Sequence, residues 1–364
     1  MPIERLVRSP ELLGFDPERL KAVERMLNRG IEEQLYTAYT YLVMRHGKVA
    51  AMGAGGLAQP DATPPVAAQI DTIFDAASLS KTITATLLLQ CVEAGQLHLE
   101  QPLRWTLPEA KETPLGEVTL KQLATHTSGL PSWRNVNETG NPLELILATP
   151  LEAEPGTRYA YSDLGYILLG FVLERELGEA LPNLAKKRIF DPLGMERSGY
   201  FPAENLKSWL AVTSAPLGQV HDPNARGMGG AAGHAGLYTT APDLARYVLG
   251  LRPPEGELPL FAPLIGPLAR RLMETNQNPP HLNAHTIGWF AYPSGYLPKG
   301  DLLSEKTFAH TGFTGTLLLI DPELDLVLTL LTNRVYYEKQ NDGTGVLRLR
   351  RLFANAVAGA LQRL

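Results

Sequence analysis

The chain contains the stretch Ser78-Leu79-Ser80-Lys81 directly before a run of apolar residues. These residues recur at helical spacing and predict a helix that begins at this stretch and ends near Gly95. They are Ile83, Leu87, Leu88 and Cys91. Ser78 then lies at the positive end of the helix dipole, one turn from Lys81 on the same face. Because burial in a cleft disfavours an ammonium, Lys81 could accept the serine proton, alone or through a coupled neighbour. The alternative interpretation is a capping serine followed by a solvated lysine.

Two later segments carry residue types that could complete such a site. They are Pro155-Gly156-Thr157-Arg158-Tyr159-Ala160-Tyr161-Ser162-Asp163-Leu164-Gly165-Tyr166 and His310-Thr311-Gly312-Phe313-Thr314-Gly315-Thr316. With Ser78 and Lys81, in this order and separation, they resemble the three signatures of the serine β-lactamase and penicillin-binding-protein superfamily. The resemblance is to its branch of class C β-lactamases, DD-peptidases and esterases.

This resemblance implies a role for each motif residue. Ser78 is the nucleophile, and it forms an acyl-enzyme that water then releases. Lys81 and Tyr161 form the base, because a phenol must lie beside an ammonium to accept a proton near neutral pH. The backbone N–H groups of Ser78 and Phe313 stabilise the oxyanion. The likeness runs from about Asp16 to the C-terminus and includes three further stretches, residues 123–131, 190–195 and 229–237.

The substrate-binding residues implied by the resemblance are Asp163, His310, Thr311 and Gly312, and two of them depart from better-known family members. Asp163 stands where those members usually place Asn; a carboxylate cannot donate a hydrogen bond to a substrate carbonyl, and it would hold Lys81 protonated. His310 stands where lactamases place Lys and is mostly neutral near pH 7, so we expect it to gain charge only below about pH 6.5. Both departures favour esters or D-amino-acid peptides over efficient β-lactam hydrolysis.

The remaining histidines form no recognisable metal motif. His281 and His285 are four residues apart, as in zinc-binding helices, but Pro279-Pro280 interrupts the helix and the glutamate of that motif is missing. We therefore expect no metal and, without a Gly-rich nucleotide motif, no cofactor. For His221-Asp222 and His234, which fall in a loop-rich stretch, structural hydrogen bonding is the favoured interpretation and substrate contact the alternative.

Composition and charge exclude several classes of protein. Lys and Arg number 33 against 38 Asp and Glu, a net charge of -5, which has the wrong sign for binding nucleic acid. The single cysteine, Cys91, excludes an internal disulfide. The apolar stretches are too short or too interrupted for a membrane span. The first fifteen residues lack a secretory signal, so we expect a cytoplasmic monomer acting on a small-molecule or peptide substrate, or a periplasmic or secreted protein if the chain was trimmed.

The expected fold is α+β and β-lactamase/transpeptidase-like, with an antiparallel sheet flanked by terminal helices and an inserted, mostly helical lobe. We expect residues 1–364 to form a single catalytic domain. Its α/β lobe comprises about 1–75 and 285–364, and its helical lobe about 76–284. The arginines of the C-terminal helix are expected on its solvated face. They are Arg348, Arg350, Arg351 and Arg363.

These observations together predict a serine hydrolase. It would act through an acyl-enzyme on ester or amide carbonyls, those of a D-amino-acid peptide or a β-lactam among them. The alternative is a catalytically inactive, penicillin-binding-like sensor or binding protein, since a fold with its site residues does not ensure turnover.

Asp163→Asn tests the first departure from the family pattern. The amide restores a hydrogen-bond donor, so we expect turnover of amides or lactams to rise relative to turnover of esters. Parallel kcat/KM measurements on a matched ester and amide check this, and equal ratios in the variant and the parent would contradict it.

Overall fold

The computed structural model describes residues 3–137, 140–254, 258–340 and 342–362. The strands are β1 (Ala38–Arg45), β2 (Lys48–Gln59), β3 (Val66–Ala67), β4 (Phe74–Asp75), β5 (Tyr238–Thr239), β6 (Phe290–Ala291), β7 (Phe308–Thr311), β8 (Leu317–Asp321) and β9 (Leu326–Thr332). The α-helices are α1 (Pro17–Glu32), α2 (Ser80–Glu93), α3 (Leu120–Ala124), α4 (Pro142–Leu147), α5 (Asp163–Leu177), α6 (Leu181–Ala185), α7 (Asp191–Leu193), α8 (Pro223–Gly227), α9 (Ala241–Leu251), α10 (Pro267–Glu274) and α11 (Thr344–Ala358).

A seven-stranded antiparallel sheet joins segments from the two ends of the chain. Its strand order is β3-β2-β1-β9-β8-β7-β6, so β1 pairs directly with β9 and Leu42 lies opposite Thr329. Every residue of β1, β8 and β9 is buried, as expected for strands that are covered on both faces. The sheet and its flanking helices confirm the expected mixed α/β fold.

Alternate residues of the sheet pack into two separate cores, because successive strand side chains point to opposite faces. Tyr41 and Val43 of β1 belong to the core that contains α1 and α11, the two terminal helices. Leu42 and Met44 belong to the larger core that contains α2 and α5. The helix that carries Lys81 is therefore fixed against one face of the sheet.

Local sequence signals determine where the first helices begin. Asp16 caps α1 by accepting the N–H groups of Glu18 and Arg19, and Pro17 occupies the first helical position. A 3-10 turn, Ala77–Leu79, leads into α2, which is buried on nearly all sides. The expected helix after Ser78 is thus present, and Ser78 itself lies in the turn that precedes it.

The expectation for the arginines of α11 is wrong at one position. Arg348 and Arg351 are exposed, whereas Arg350 is buried and donates to the carbonyl of Gly312 at 2.6 Å. The physical reason is that α11 packs on the sheet with Arg350 toward the end of β7. Arg363 lies outside the described residues.

The strands of the large sheet come from residues 38–67 and 290–332, while β4 and β5 form a separate two-stranded sheet. The division into two lobes of one catalytic domain stays a prediction. No helix in the described part of the chain combines the length and the apolar character that crossing a bilayer requires.

Candidate active site

Ser78 lies at the wall of a cavity of about 540 Å³. The segment that carries it is held by Asp75, whose Oδ1 accepts the N–H of Ala77 at 2.9 Å. Ala77 has φ +47°, in the left-handed region that residues other than glycine rarely adopt. Backbone of this kind persists only where its surroundings enforce it, and it is concentrated at functional sites.

Lys81 joins Ser78 to the second motif. Its side chain is fully buried, and its Nζ lies 3.1 Å from Ser78 Oγ and 2.7 Å from Asp163 Oδ1. Burial by itself lowers the pKa of the ammonium, but the charges of Asp163 and of Tyr161 outweigh it, and the pKa of Lys81 is raised. Lys81 is therefore an ammonium at neutral pH, as its contact with Asp163 implied.

Tyr161 completes the group. The Lys81 Nζ lies 4.7 Å from the centre of its ring, and the side chains of Lys81 and Ser78 both act on its hydroxyl to lower its pKa. Burial raises the pKa of Tyr161 and Asp163 raises it further, while Lys81 lowers it; the net direction is upward. Lys81 thus favours the ionised phenol, but burial outweighs the ammonium. The role of Tyr161 in the base stays a prediction.

The third motif approaches Ser78 through backbone contacts. Thr314 and Thr316 donate their hydroxyl protons to the carbonyls of Asp75 at 2.8 Å and Ala76 at 3.1 Å. Gly312 lies so close that a Cβ there would be 2.4 Å from the Ala76 oxygen, so the approach requires glycine. Thr311, Gly312 and Phe313 line the cavity with Ser78. Among the described residues, the Phe313 N–H donates to no protein group.

His310 does not lie at the cavity surface. Its ring is fully buried, and Nδ1 lies 3.0 Å from the Thr311 carbonyl, which fixes Nδ1 as the donor. Burial, and then the positive charge of Lys81, lower the pKa of His310 well below its usual value. The expectation that His310 gains charge near pH 6.5 and attracts a substrate carboxylate is therefore wrong, because the buried cation would face another buried cation.

Two arginines that sequence reasoning did not assign to the site line the cavity instead. Arg334 follows β9, donates through Nε to the Phe313 carbonyl at 2.5 Å and lies 4.3 Å from the centre of the Phe313 ring. Arg350 is the second. Arg350 lies four residues after Val346 and three before Phe353, on the apolar face of α11. This helical spacing could have predicted its burial from the sequence. No comparable pattern marked Arg334.

Asp222 and His234 lie next to the proposed base. Asp222 lines the cavity, and its Oδ1 is 2.9 Å from Nε2 of the buried His234, while His221 bonds Glu338 at 2.8 Å. Structural hydrogen bonding, the interpretation favoured from the sequence, thus describes His234. Asp163, Asp222 and His234 offer three donor atoms within 4.8 Å of one another. The Lys81 ammonium already bonds the first carboxylate, so this arrangement does not favour a metal ion.

The comparisons with known proteins agree with this geometry. The family model Beta-lactamase matches residues 23–351, and the chain belongs to that family. A putative D-alanyl-D-alanine carboxypeptidase of Escherichia coli (strain K12) is 28% identical, over 90% of this chain and 85% of the relative.

Solved structures give the same assignment. The octameric penicillin-binding protein homologue from Pyrococcus abyssi is 25% identical, with a TM-score of 0.68 over 88% of this chain and 76% of that one. A class C β-lactamase has the same fold, with a TM-score of 0.74 at 21% identity over 92% of this chain and 96% of that one. The resemblance and fold class stated from the sequence are thereby confirmed, whereas the roles of the individual site residues and the monomeric state stay predictions.

Asp163→Asn also tests the electrostatics of the site. Removing the carboxylate removes a cause that raises the pKa of Lys81, so the pair of Lys81 and Tyr161 loses its proton at lower pH. The alkaline rise in the rate of Ser78 acylation should therefore move down by about one to three pH units. Pre-steady-state acylation by a chromogenic ester from pH 5 to 10 measures this.

The surface variant Glu109→Gln removes a carboxylate that pairs with Arg175 far from Lys81 and serves as the control. It should leave the profile in place. An unmoved profile in Asp163→Asn would show that Asp163 does not govern the proton of the pair.

Proposed function

We propose that this chain is a serine hydrolase that removes the C-terminal residue of short D-amino-acid peptides through an acyl-enzyme on Ser78. The observation that carries the proposal is the convergence of Ser78 Oγ, Lys81 Nζ and the Tyr161 hydroxyl on one wall of the cavity. A nucleophile within hydrogen-bond reach of its base is the arrangement that covalent catalysis requires.

In the proposed reaction, Ser78 Oγ attacks the substrate carbonyl carbon and its proton passes to the pair of Lys81 and Tyr161. The reactive form has one proton fewer than the resting pair, because the resting pair is an ammonium and a phenol. The N–H groups of Ser78 and Phe313 bind the oxyanion. As the carbon–nitrogen bond breaks, the pair returns the proton to the leaving amine. Water then attacks the acyl-enzyme and gives a proton to the pair, the bond from the carbonyl carbon to Ser78 Oγ breaks, and the pair returns the proton to Ser78 as the acid is released.

The two arginines support a leaving group that carries a carboxylate. Among the described residues, no carboxylate lies within ion-pair distance of Arg334 or Arg350; Glu338 and Asp342 act on Arg334 only at longer range. Arg350 has a buried Nε without a partner in the described chain. A bound carboxylate would supply the negative charge that neither guanidinium finds within ion-pair distance. The name of the Escherichia coli relative is consistent with this leaving group.

The cavity wall favours apolar side chains on the substrate. Besides Ser78, the two arginines and the polar side chains of Asp163, His221, Asp222, Thr311 and Asp342, the lining includes a group of aromatic and aliphatic residues. These residues are Trp133, Phe290, Tyr296, Val346 and Leu347. A short peptide of small apolar residues would fit this combination of charge and apolar surface.

Ester hydrolysis is the second candidate function, and Asp163 is the observation that favours it. Its carboxylate lines the cavity beside Lys81 and cannot donate to the carbonyl of a peptide acyl group. An ester, with its better leaving group, depends less on that contact.

A side-by-side assay tests the proposed function. Matched esters, N-acyl-D-alanyl-D-alanine peptides and a cephalosporin are compared for the parent and for Ser78→Ala. We expect turnover of the peptides and esters that is lost in Ser78→Ala, with slow turnover of the cephalosporin. Stoichiometric labelling of Ser78 without turnover would favour the inactive sensor, and ester turnover alone would favour the esterase.

The arginine pair gives a sharper prediction about the substrate. Arg334→Gln and Arg350→Gln each remove a charged donor, so kcat/KM for a peptide with a free C-terminal carboxylate should fall about 10- to 100-fold. For the same peptide with a C-terminal amide, the change should stay within about threefold, which makes each variant its own control. Equal losses on both peptides would contradict carboxylate recognition.

A further inference from the structure

His126 accepts hydrogen bonds from the backbone on both sides of Tyr161. Its carbonyl accepts the N–H of Ala160 at 2.9 Å, and its Nδ1 accepts the N–H of Ser162 at 3.0 Å. Its ring also lies against the Tyr161 ring, with 4.5 Å between their centres. One residue thus contacts the tyrosine and holds the two residues that flank it.

The backbone of His126 has an unusual conformation. Its φ is +60°, in the left-handed region that residues other than glycine adopt uncommonly, although histidine, asparagine and aspartate adopt it more often than the others. The residue is buried, with 1% of its surface exposed, and lies in the loop after α3. A buried, strained conformation of this kind persists only where the surrounding contacts determine it.

The hydrogen bond from Ser162 also fixes the protonation of the ring. A backbone N–H can only donate, so Nδ1 must hold a lone pair and the proton must lie on Nε2. Burial, and then the neighbouring His285 and Lys81, lower the pKa of His126 well below its usual value, which agrees with a neutral ring. The Nε2 has no hydrogen-bond partner in the described chain. The acceptor at Nδ1 is therefore the group through which the ring holds the backbone.

We propose that His126 is a positioning residue, whose carbonyl and Nδ1 hold the backbone on either side of Tyr161 so that its hydroxyl meets Ser78 and Lys81. This inference rests on the proposed role of Tyr161. A further contact holds only the residue after the tyrosine, because Ser162 Oγ donates to the Pro131 carbonyl at 2.7 Å. Among the described residues, only His126 bonds the backbone on both sides of the tyrosine and also packs against its ring.

Two substitutions of similar size separate the acceptor from the bulk of the side chain. His126→Asn places Oδ1 near the position of Nδ1 and tolerates a positive φ. His126→Leu offers no acceptor. We expect the acylation rate constant at saturating ester to fall about 100-fold in His126→Leu, because a small misplacement of a reacting group has an effect of that order. KM should stay within about threefold, and His126→Asn should retain the rate to within about fivefold.

A double-mutant cycle shows whether His126 acts through the tyrosine. In the Tyr161→Phe background, His126→Leu should have little further effect on acylation, because the hydroxyl that it positions is already absent. Tyr36→Phe is the matched control, since it also removes one buried hydrogen bond, from Tyr36 Oη to the Leu27 carbonyl at 2.8 Å, where Tyr36 packs against α1. Its acylation rate should equal that of the parent at temperatures below the unfolding transition.

Three results would overturn the inference. They are an unchanged rate in His126→Leu, an equal loss in His126→Asn, and a loss in the cycle that simply adds to that of Tyr161→Phe. Failure of the parent to acylate Ser78 would overturn the proposed function instead. Crystal structures of the two His126 variants then decide the positioning role, which requires Tyr161 to be displaced in His126→Leu and in place in His126→Asn.

Discussion

The ion pair between Lys81 and Asp163 is the constraint on which the rest of the site depends. The lysine is fully buried, and removing the partner of a buried charge costs about 3–5 kcal/mol. The pair joins α2 to the start of α5, 82 residues later in the chain. It thereby fixes the Ser78 turn against the segment that carries Tyr161, and it sets the direction of the pKa of Lys81.

Because this pair keeps Lys81 charged, the surrounding residues must be compatible with a buried cation. Burial and the charge of Lys81 lower the pKa of His310 well below its usual value and that of His285 to about 3. The cations that face the cavity lie elsewhere, at Arg334 and Arg350 beside the third motif. The residues proposed to handle the proton and the cations proposed to bind the substrate carboxylate are therefore different residues.

The third motif shows how the protein brings distant segments together without charged groups. Threonine hydroxyls and the absence of a Cβ at Gly312 hold the end of β7 against Ala76. These contacts join residues 240 positions apart. Strand alternation and helical periodicity carry no information on contacts between residues so far apart in the chain. From the sequence, only the resemblance to a family indicated that these segments meet.

The sequence by itself determined the features that depend on neighbouring residues. These include the Asp16 cap of α1, the helix that follows Ser78 and the motif order that identifies the family. Only the tertiary structure decided that Arg350 is buried, that His310 is withdrawn from the cavity and that the pKa of Tyr161 is raised. The physical reason is that burial and charge act through space, between groups that packing brings together from distant parts of the chain, whereas helix caps and side-chain periodicity act between residues a few positions apart.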